Sequence, residues 1–423
     1  MVQVNFIKNN REEVIERLAV KNFTDVSLVD RIIALDGERK SLQFESGELQ
    51  AKINSVSREI GQLVQNGDKG LAEEKKLEVA EYKSSLQPIS LRLVIIEGEL
   101  SGALVSVPNL PHKSVPRGKS PEENEKVREG GRKPVLYKGS APHWELAKKY
   151  DLINFELGNK VTGSGFPFYK NMGAKLQRAL IQYFLDYNVE AGYTEYQPPL
   201  MVNETSAYGT GQLPDKEGQM YFVNEEKLFL IPTSEVPVTN IYRDEIVKES
   251  ELPIKMTAYT PCFRREAGSY GKEVRGLNRV HQFDKVEIVQ IVHPEKSYEV
   301  IEEMVNHVEK LLQNLELPYR ILRLCGGDMS FTSALTYDFE VYSAAQEKWL
   351  EVSSVSNFET FQSNRMKIRY KNSENKMQLV HTLNGSSLAL PRIVAALLEN
   401  NQTEDGIQLP QALHSYFGFE KIN

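Results

Sequence analysis

The feature that most constrains this chain is a pair of heptad repeats on either side of one short turn. In each repeat, apolar residues recur every seven positions, and a second apolar series lies between them. The first repeat consists of Leu35, Leu42, Leu49, Val56 and Leu63, with Ile53 and Ile60 between them. The second consists of Val79, Leu86, Leu93 and Leu100, with Tyr82, Ile89, Ile96 and Ala103 three positions later. The turn sequence NGDKG at 66–70 separates the two repeats.

This spacing predicts two long helices that fold back on each other as an antiparallel coiled coil over about residues 30–104. At 1.5 Å per residue, the first helix is expected to be roughly 40 Å long. Because two helices bury little beyond their own seam, we expect an arm that projects into solvent and reaches a partner. A coiled coil that joins two copies of the chain is the alternative.

The rest of the chain has a different pattern. The helix-breaking stretch PNLPHKSVPRG at 108–118 ends the heptads, and many short strand-like runs follow it, with helical segments near 172–191, 296–315 and 388–400. We therefore expect an N-terminal domain over 1–110 and a larger domain over 111–423. The larger one is expected to be an α+β fold, an antiparallel sheet flanked by helices.

The composition narrows the function classes. No apolar run approaches the ~20 residues that cross a membrane, and the acidic, amphipathic N-terminus is unlike a secretory or transit signal. Two cysteines in 423 residues argue against a disulfide framework or a thiolate zinc site, so we expect a cytoplasmic protein without zinc. The net charge of −7 gives no general sign of nucleic-acid binding. No Rossmann or P-loop glycine motif is present.

The richest candidate site lies in two strand-like runs within 262–289. Arg264 and Glu266 share one face of the first run, and the second run places Arg279, His281, Phe283, Lys285 and Glu287 on one face. Arginine pairs with phosphate oxygens, and a phenylalanine ring can stack on a base. The alternative is a solvated sheet face with cross-strand ion pairs.

Three further stretches carry polar groups that suit a ligand. Thr233, Ser234 and Glu235 follow a strand and can hold an ammonium, although a helix N-cap with a following acid is the commoner structure. In WLEVSSVSNFE, Glu351 shares one strand face with Ser353 and Asn357, and Ser354 lies on the other. An acid followed by hydroxyls suits magnesium.

The last stretch is HTLNGSSLALPRIVAALLENNQ, within 381–402. We expect a turn at 384–386 and then an apolar helix with Arg392 in its first turn. An arginine on a buried helix needs an anion or an acid as its partner, so Arg392 is a candidate phosphate ligand.

Together these stretches resemble the class II aminoacyl-tRNA synthetases, and within them the seryl-tRNA synthetase family of the bacterial type. FRRE with HQFDKVEIV is similar to the family's motif 2, NGSSLALPR to motif 3, and residues 173–203 to motif 1. TSE, GTGQLP and EVSSVSN resemble its serine-site and active-site loops, and the heptad hairpin resembles its tRNA-binding arm. The resemblance covers essentially the whole chain.

The resemblance implies a role for each matching residue. The expected catalytic residues are Arg264 and Arg392, and Mg²⁺ is expected on Glu351 and Ser354. Serine is expected to bind Thr233, Ser234, Glu235, Glu287, Asn384 and Ser386. ATP is expected to contact Arg264, Arg265, Glu266, Arg279, Val280, Phe283, Glu351, Val352, Ser353, Ser354 and Arg392.

The implied activity is ligation of L-serine to tRNA(Ser) at the expense of ATP, with tRNA(Sec) as a second candidate acceptor and a homodimer as the assembly. Two alternatives remain. One is an enzyme that passes an activated amino acid to a carrier protein, and we expect such a chain to lack the arm. The other is an inactive RNA-binding or regulatory relative, in which we expect Arg264, Glu351 or Arg392 to be replaced.

Overall fold

Two long helices dominate the N-terminal part of the computed structural model, which describes residues 1–215, 217–266 and 275–423. The chain divides into a unit of residues 1–19 and 23–108 and a unit of residues 20–22 and 109–423. The helices of the N-terminal part are α1 (Val4–Asn9), α2 (Arg11–Val20), α3 (Val26–Asn66) and α4 (Lys69–Val105).

The predicted helical hairpin is confirmed. Every residue of the two heptad series is buried or half-buried, and Ile53, Val56 and Val79 form one apolar cluster in the seam. The turn depends on Gly67, which adopts a left-handed conformation (φ +87°) and donates its N–H to the carbonyls of the last turn of α3. Glycine takes this conformation at little energetic cost, and it therefore ends α3 at the turn that the sequence predicts.

The first helix is longer than the heptads indicate. It begins at Val26, where the side chain of Asp25 accepts a hydrogen bond from the N–H of Leu28 at 3.0 Å. Its 41 residues span about 60 Å rather than the expected 40 Å. The predicted length was too short because it was calculated from the first heptad position, Leu35, and not from the N-cap of the helix.

The second unit is built on an eight-stranded sheet with the order β1-β11-β12-β13-β16-β10-β9-β4. Its neighbours are antiparallel except for β4 and β9, so the predicted α+β class is confirmed. The strands of this sheet are β1 (Glu125–Gly130), β4 (Thr194–Tyr196), β9 (Ile254–Phe263), β10 (Gln282–Val292), β11 (Tyr319–Arg323), β12 (Leu335–Ser343), β13 (Lys348–Asn357) and β16 (His381–Ala389).

Smaller elements complete this unit. The remaining strands are β2 (Ile153–Asn154), β3 (Phe168–Tyr169), β5 (Met201–Asn203), β6 (Phe222–Val223), β7 (Leu228–Leu230), β8 (Ile246–Lys248), β14 (Arg369–Lys371), β15 (Met377–Leu379), β17 (Gln402–Thr403), β18 (Gly406–Gln408) and β19 (Lys421–Ile422). The helices are α5 (His143–Lys149), α6 (Phe155–Val161), α7 (Asn171–Glu190), α8 (Glu204–Thr210), α9 (Glu235–Thr239), α10 (Ser297–Asn314), α11 (Phe361–Met366), α12 (Leu390–Asn400) and α13 (His414–Phe417). Among the described residues, no helix has both the length and the apolar character needed to cross a bilayer.

Strand β10 shows how the sheet separates a core face from a polar face. Val286 and Ile288 belong to the main apolar core, which also contains buried residues of α7, α10 and α12. Lys285 and Glu287, which alternate with these two residues, point to the opposite face, because successive side chains of a strand alternate. One side of the sheet is therefore covered by helices, and the other carries charge.

The predicted turn at 384–386 is wrong. These residues lie in the middle of β16, where Asn384 pairs with Val289 of β10 on one side and with Ser356 of β13 on the other. Asn, Gly and Ser favour turns locally, but a central strand is paired along both edges. Those tertiary hydrogen bonds override the local preference.

The seam of the hairpin can be tested with two substitutions on α3. Ile53 is 5% exposed, whereas Phe44 on the same helix is 69% exposed. Ile53→Ala is expected to lower the free energy of opening the hairpin by about 2 kcal/mol or more, because it leaves a cavity in the seam. Phe44→Ala should leave this energy nearly unchanged. Amide hydrogen exchange of residues 45–85 measures both, and equal exchange in the two variants would contradict the seam.

Candidate active site

A cavity of about 500 Å³ lies on the charged face of the sheet in the second unit. Fifteen of the seventeen residues that the sequence singles out line it. They are Thr233, Glu235, Arg264, Glu266, Arg279, Val280, Phe283, Glu287, Glu351, Val352, Ser353, Ser354, Asn384, Ser386 and Arg392.

The other two residues lie beside the cavity. The hydroxyl of Ser234 is fully buried and has no hydrogen-bond partner among the described residues. Arg265 is exposed, and its backbone N–H donates to the carbonyl of Gln219 at 2.9 Å. Residues 267–274, in the loop of the motif 2 resemblance, lie outside the described residues.

A buried ion pair lies at one end of the cavity. The ammonium of Lys285 is 2.5 Å from the carboxylate of Glu287, and both side chains are less than 10% exposed. The same ammonium donates to the hydroxyl of Thr233 at 2.9 Å. Glu287 also accepts hydrogen bonds from the amide of Asn384 at 3.2 Å and from the hydroxyl of Ser386 at 3.4 Å. This network joins four predicted serine-site residues through a lysine to which the sequence reading assigned no role.

Glu235 is a second buried carboxylate of the same region. The amide of Gln362, on α11, donates to it at 2.6 Å, and Gln362 is in turn held by the hydroxyl of Thr382 at 2.7 Å. Burial, and secondarily the negative charge of Glu287, raises the pKa of Glu235 to about 7. This carboxylate therefore lies in an environment in which a neighbouring cation would stabilise its charge.

A β-bulge in β13 decides which polar groups of this strand share a face. Glu351 pairs with Glu340 of β12, but Ser353 pairs with Phe339, so Val352 is an extra residue. The bulge reverses the alternation and brings Glu351 to the face of Ser354. The expectation that Glu351 shares a face with Ser353 and Asn357 is therefore wrong.

Asp338 lies opposite Ser354 on this face of the sheet. Burial, together with the neighbouring Glu351 carboxylate, raises the pKa of Asp338. Its Oδ1 atom is buried and has no hydrogen-bond partner in the described part of the chain. Carboxylate oxygens beside a hydroxyl form a donor set that suits a hard divalent cation such as Mg²⁺.

Arginines surround the other end of the cavity. Arg392, in the first turn of α12 as expected, donates to the backbone carbonyls of Asn278 at 2.9 Å and Glu351 at 2.7 Å. The guanidinium of Arg264 lies over the ring of Phe283, 5.2 Å from its centroid. Arg279 forms an ion pair with Glu266. This end of the cavity therefore combines cations with an aromatic ring, which suits a nucleotide.

Several lining residues were missed by the sequence reading. They include Gln212, Gln219, Asn278, Lys285, Ser330, Thr332 and Ser356. Alternation along β10 placed Lys285 on the correct face, but nothing in the sequence indicated its partner. Gln212 lies in GTGQLP, a stretch that resembles one of the family's loops but for which no residue role was predicted. No local sequence pattern indicates a role for Gln362, because the residue that it contacts, Glu235, is 127 positions away in the sequence.

The arrangement is an antiparallel sheet with a cation-rich nucleotide end and a carboxylate-lined end for a small cationic ligand. This fold and site are those of a class II aminoacyl-tRNA synthetase core. In agreement, residues 221–401 match the family model of the tRNA synthetase class II core domain (G, H, P, S and T). Residues 1–111 match that of the seryl-tRNA synthetase N-terminal domain.

Whole-length relatives agree with both models. The chain is 49% identical to a serine–tRNA ligase of Salinibacter ruber, over 100% of this chain and 99% of the relative. It is 48% identical to that of Trichlorobacter lovleyi, over 100% of both chains. A crystal structure of seryl-tRNA synthetase from Pyrococcus horikoshii complexed with ATP superimposes with a TM-score of 0.91 at 32% identity, over 100% of this chain and 99% of that one. The chain belongs to the seryl-tRNA synthetase family.

The raised pKa of Glu235 predicts how amino-acid binding depends on pH. A substrate ammonium placed beside Glu235 competes with a proton, so the KM for serine should rise as pH falls below about 7. Between pH 8 and pH 6 the rise should be about tenfold, as expected for one carboxylate with a pKa of about 7. Initial rates over this range measure it, and Glu235→Gln should abolish the dependence. A KM that is constant from pH 8 to pH 6 would contradict the assignment.

Proposed function

We propose that this protein activates L-serine with ATP as seryl-adenylate and transfers the serine to the 3′ end of tRNA(Ser). The observation that carries the proposal is the Lys285–Glu287–Ser386 network next to Glu235. It offers a buried carboxylate for an ammonium and another, hydrogen-bonded carboxylate for a hydroxyl. Membership of the seryl-tRNA synthetase family supports the same function.

In the first step, the serine carboxylate attacks the α-phosphorus of ATP in line. A bond forms between the carboxylate oxygen and phosphorus, the bond from phosphorus to the bridging oxygen breaks, and pyrophosphate leaves. Arg264 is assigned to the α-phosphate and the serine carboxylate, and Arg392 to the γ-phosphate and one face of the adenine. Phe283 is assigned to the other face of the adenine, Glu266 to its edge, and Arg279 to the bent triphosphate. No side-chain nucleophile is needed, because catalysis consists of positioning and charge compensation.

Glu351 and Ser354 would hold Mg²⁺ in this site. The fit is supported by the bulge that brings these two residues to one face and by the buried oxygen of Asp338, which has no hydrogen-bond partner among the residues that the structure describes. The ion would compensate the negative charge of the phosphates. The cations of the chain itself, Arg264 and Arg392, orient those phosphates.

Serine is selected by hydrogen bonding and by size. Thr233 and Glu235 are assigned to the ammonium, and Glu287 and Ser386 to the side-chain hydroxyl, with Asn384 beside them. Alanine would not offer Glu287 the hydrogen bond from a substrate hydroxyl, and the loss of such a bond can give discrimination of ~10⁴ or more. Threonine adds a methyl group, which must be excluded by the wall next to Ser386.

In the second step, a ribose hydroxyl at the 3′ end of the tRNA attacks the carbonyl carbon of the adenylate. An ester bond forms, AMP leaves, and the hydroxyl proton is released. We assign tRNA recognition to residues 1–110 and in particular to the hairpin of α3 and α4. tRNA(Sec) as a second acceptor, a homodimer and a cytoplasmic location belong to the same proposal.

The two alternatives are less well supported. An inactive relative is disfavoured because Arg264, Glu351 and Arg392 are all present and all line the cavity. An enzyme that charges a carrier protein is disfavoured because the long hairpin is present.

Replacement of Glu287 tests the serine end of the site. Glu287→Gln is expected to raise the KM for serine in ATP–pyrophosphate exchange by about a hundredfold or more, because the carboxylate that holds the hydroxyl is lost. The KM for ATP should stay within about threefold. Glu309→Gln, which alters a partly buried carboxylate paired with Arg128 away from the cavity lining, is the matched control. An equal loss of serine and ATP binding would refute the assigned role.

Removal of the arm tests the second step separately. Deletion of residues 35–104, closed by a short glycine linker, should leave serine-dependent pyrophosphate exchange nearly unchanged and abolish aminoacylation of tRNA(Ser). The reason is that all the described residues that line the cavity belong to the second unit. If the shortened protein charged tRNA normally, the arm would instead serve dimerisation or another partner.

A further inference from the structure

A buried histidine–glutamate pair lies outside the cavity and takes no part in the proposed reaction. His143, at the start of α5, and Glu399, near the end of α12, are both 0% exposed. Their Nδ1 and Oε1 atoms are 2.6 Å apart. The desolvation of a fully buried polar pair of this kind is unfavourable unless every donor and acceptor is hydrogen-bonded.

The hydrogen bonds define the protonation of the histidine ring. The backbone N–H of Leu277 donates to Nε2 of His143 at 2.8 Å, so Nε2 is an acceptor and carries no proton. The proton is therefore on Nδ1 and points to Glu399. Glu399 also accepts from the backbone N–H of His143 at 2.9 Å, from the amide of Gln346 at 2.9 Å and from the hydroxyl of Ser343.

This network holds the segment that enters the cavity just before β10. Gly276, with φ +67°, lies so close that a Cβ atom there would be 2.2 Å from Nε2 of His143. The next residue but one, Asn278, donates through its amide to Gln346 at 2.9 Å and lines the cavity. Its backbone carbonyl accepts the 2.9 Å bond from Arg392. Thus two bonds connect His143 and Gln346 to the backbone that orients Arg392.

We propose that His143 and Glu399 are positioning residues for the ATP end of the site. They fix the backbone at Leu277 and Asn278, and with it the lining residues Arg279 and Val280 and the guanidinium of Arg392. This inference rests on the proposed function, since it assigns these groups to ATP.

The serine end has separate supports. Glu235 is held by Gln362, and Glu287 by Lys285, Asn384 and Ser386. None of these contacts involves His143 or Glu399. Loss of the pair should therefore change ATP binding and not serine binding, whereas a general loss of structure would change both.

Two substitutions of His143 separate its two hydrogen bonds. The amide of asparagine lies near the position of Nδ1, so His143→Asn can keep the bond to Glu399 but loses the acceptor for Leu277. The amide of glutamine lies near the position of Nε2, so His143→Gln can keep the acceptor for Leu277. In ATP–pyrophosphate exchange, His143→Asn is expected to raise the KM for ATP about tenfold, as the loss of one buried bond predicts. The KM for serine should change less than twofold, and His143→Gln should recover most of the ATP affinity.

Gln346→Ala provides an independent variant, because Gln346 is only half-buried and reaches Asn278 from the turn between β12 and β13. It should also raise the KM for ATP. If His143→Asn does not fold, this variant tests whether the network positions the ATP end of the site. His381→Asn is the control, since His381 is a partly buried histidine that is bonded to Ser297. It should alter neither KM.

The inference is overturned if the two KM values rise together, if neither changes, or if His143→Gln is as impaired as His143→Asn. A wild-type protein without serine-dependent exchange would refute the proposed function instead. The two failures are therefore distinguishable.

Discussion

The buried ion pair of Lys285 and Glu287, with the second buried carboxylate of Glu235 near it, is the interaction on which the rest of the site depends. Glu235 and Glu287 are both less than 10% exposed, and Lys285 pairs directly with Glu287. Burial, and secondarily the negative charge of Glu287, raises the pKa of Glu235, so a cation placed beside this carboxylate would stabilise its charged form. The site is therefore complementary to a ligand that brings one more positive charge and one hydroxyl. The amino acid serine meets both conditions.

The backbone of the sheet is irregular where the ligands are expected. The bulge at Val352 brings Glu351 to the face of Ser354. In β16, two residues lie between Ser386 and Ala389, whereas only one lies between their partners Glu287 and Lys285 in β10, and Leu388 has a φ of +69°. A bulky residue in this conformation is strained. The packing of the fully buried Leu388 side chain in the main core offsets this strain. The strained step leads directly into α12, which carries Arg392.

Much of this could be predicted from local patterns. Heptads predicted α3 and α4, and alternation placed Lys285 and Glu287 on one face, because these periodicities depend only on the geometry of a helix or strand. The predictions of a turn at 384–386 and of the faces of β13 were wrong, because pairing with neighbouring strands determines both and local patterns do not show that pairing. Gln362 and the His143–Glu399 pair could not be found in the sequence. Each acts through contacts with residues more than one hundred positions away, for which a single sequence has no signal.

In the proposed reaction, the charge of the buried carboxylates and the hydrogen bonds around Glu287 select serine. ATP–pyrophosphate exchange with the full-length protein across a panel of amino acids tests it most directly, with alanine, glycine, threonine and cysteine beside serine. We expect exchange with serine to exceed exchange with alanine or glycine by several orders of magnitude. Exchange stimulated by alanine or glycine and not by serine would contradict it.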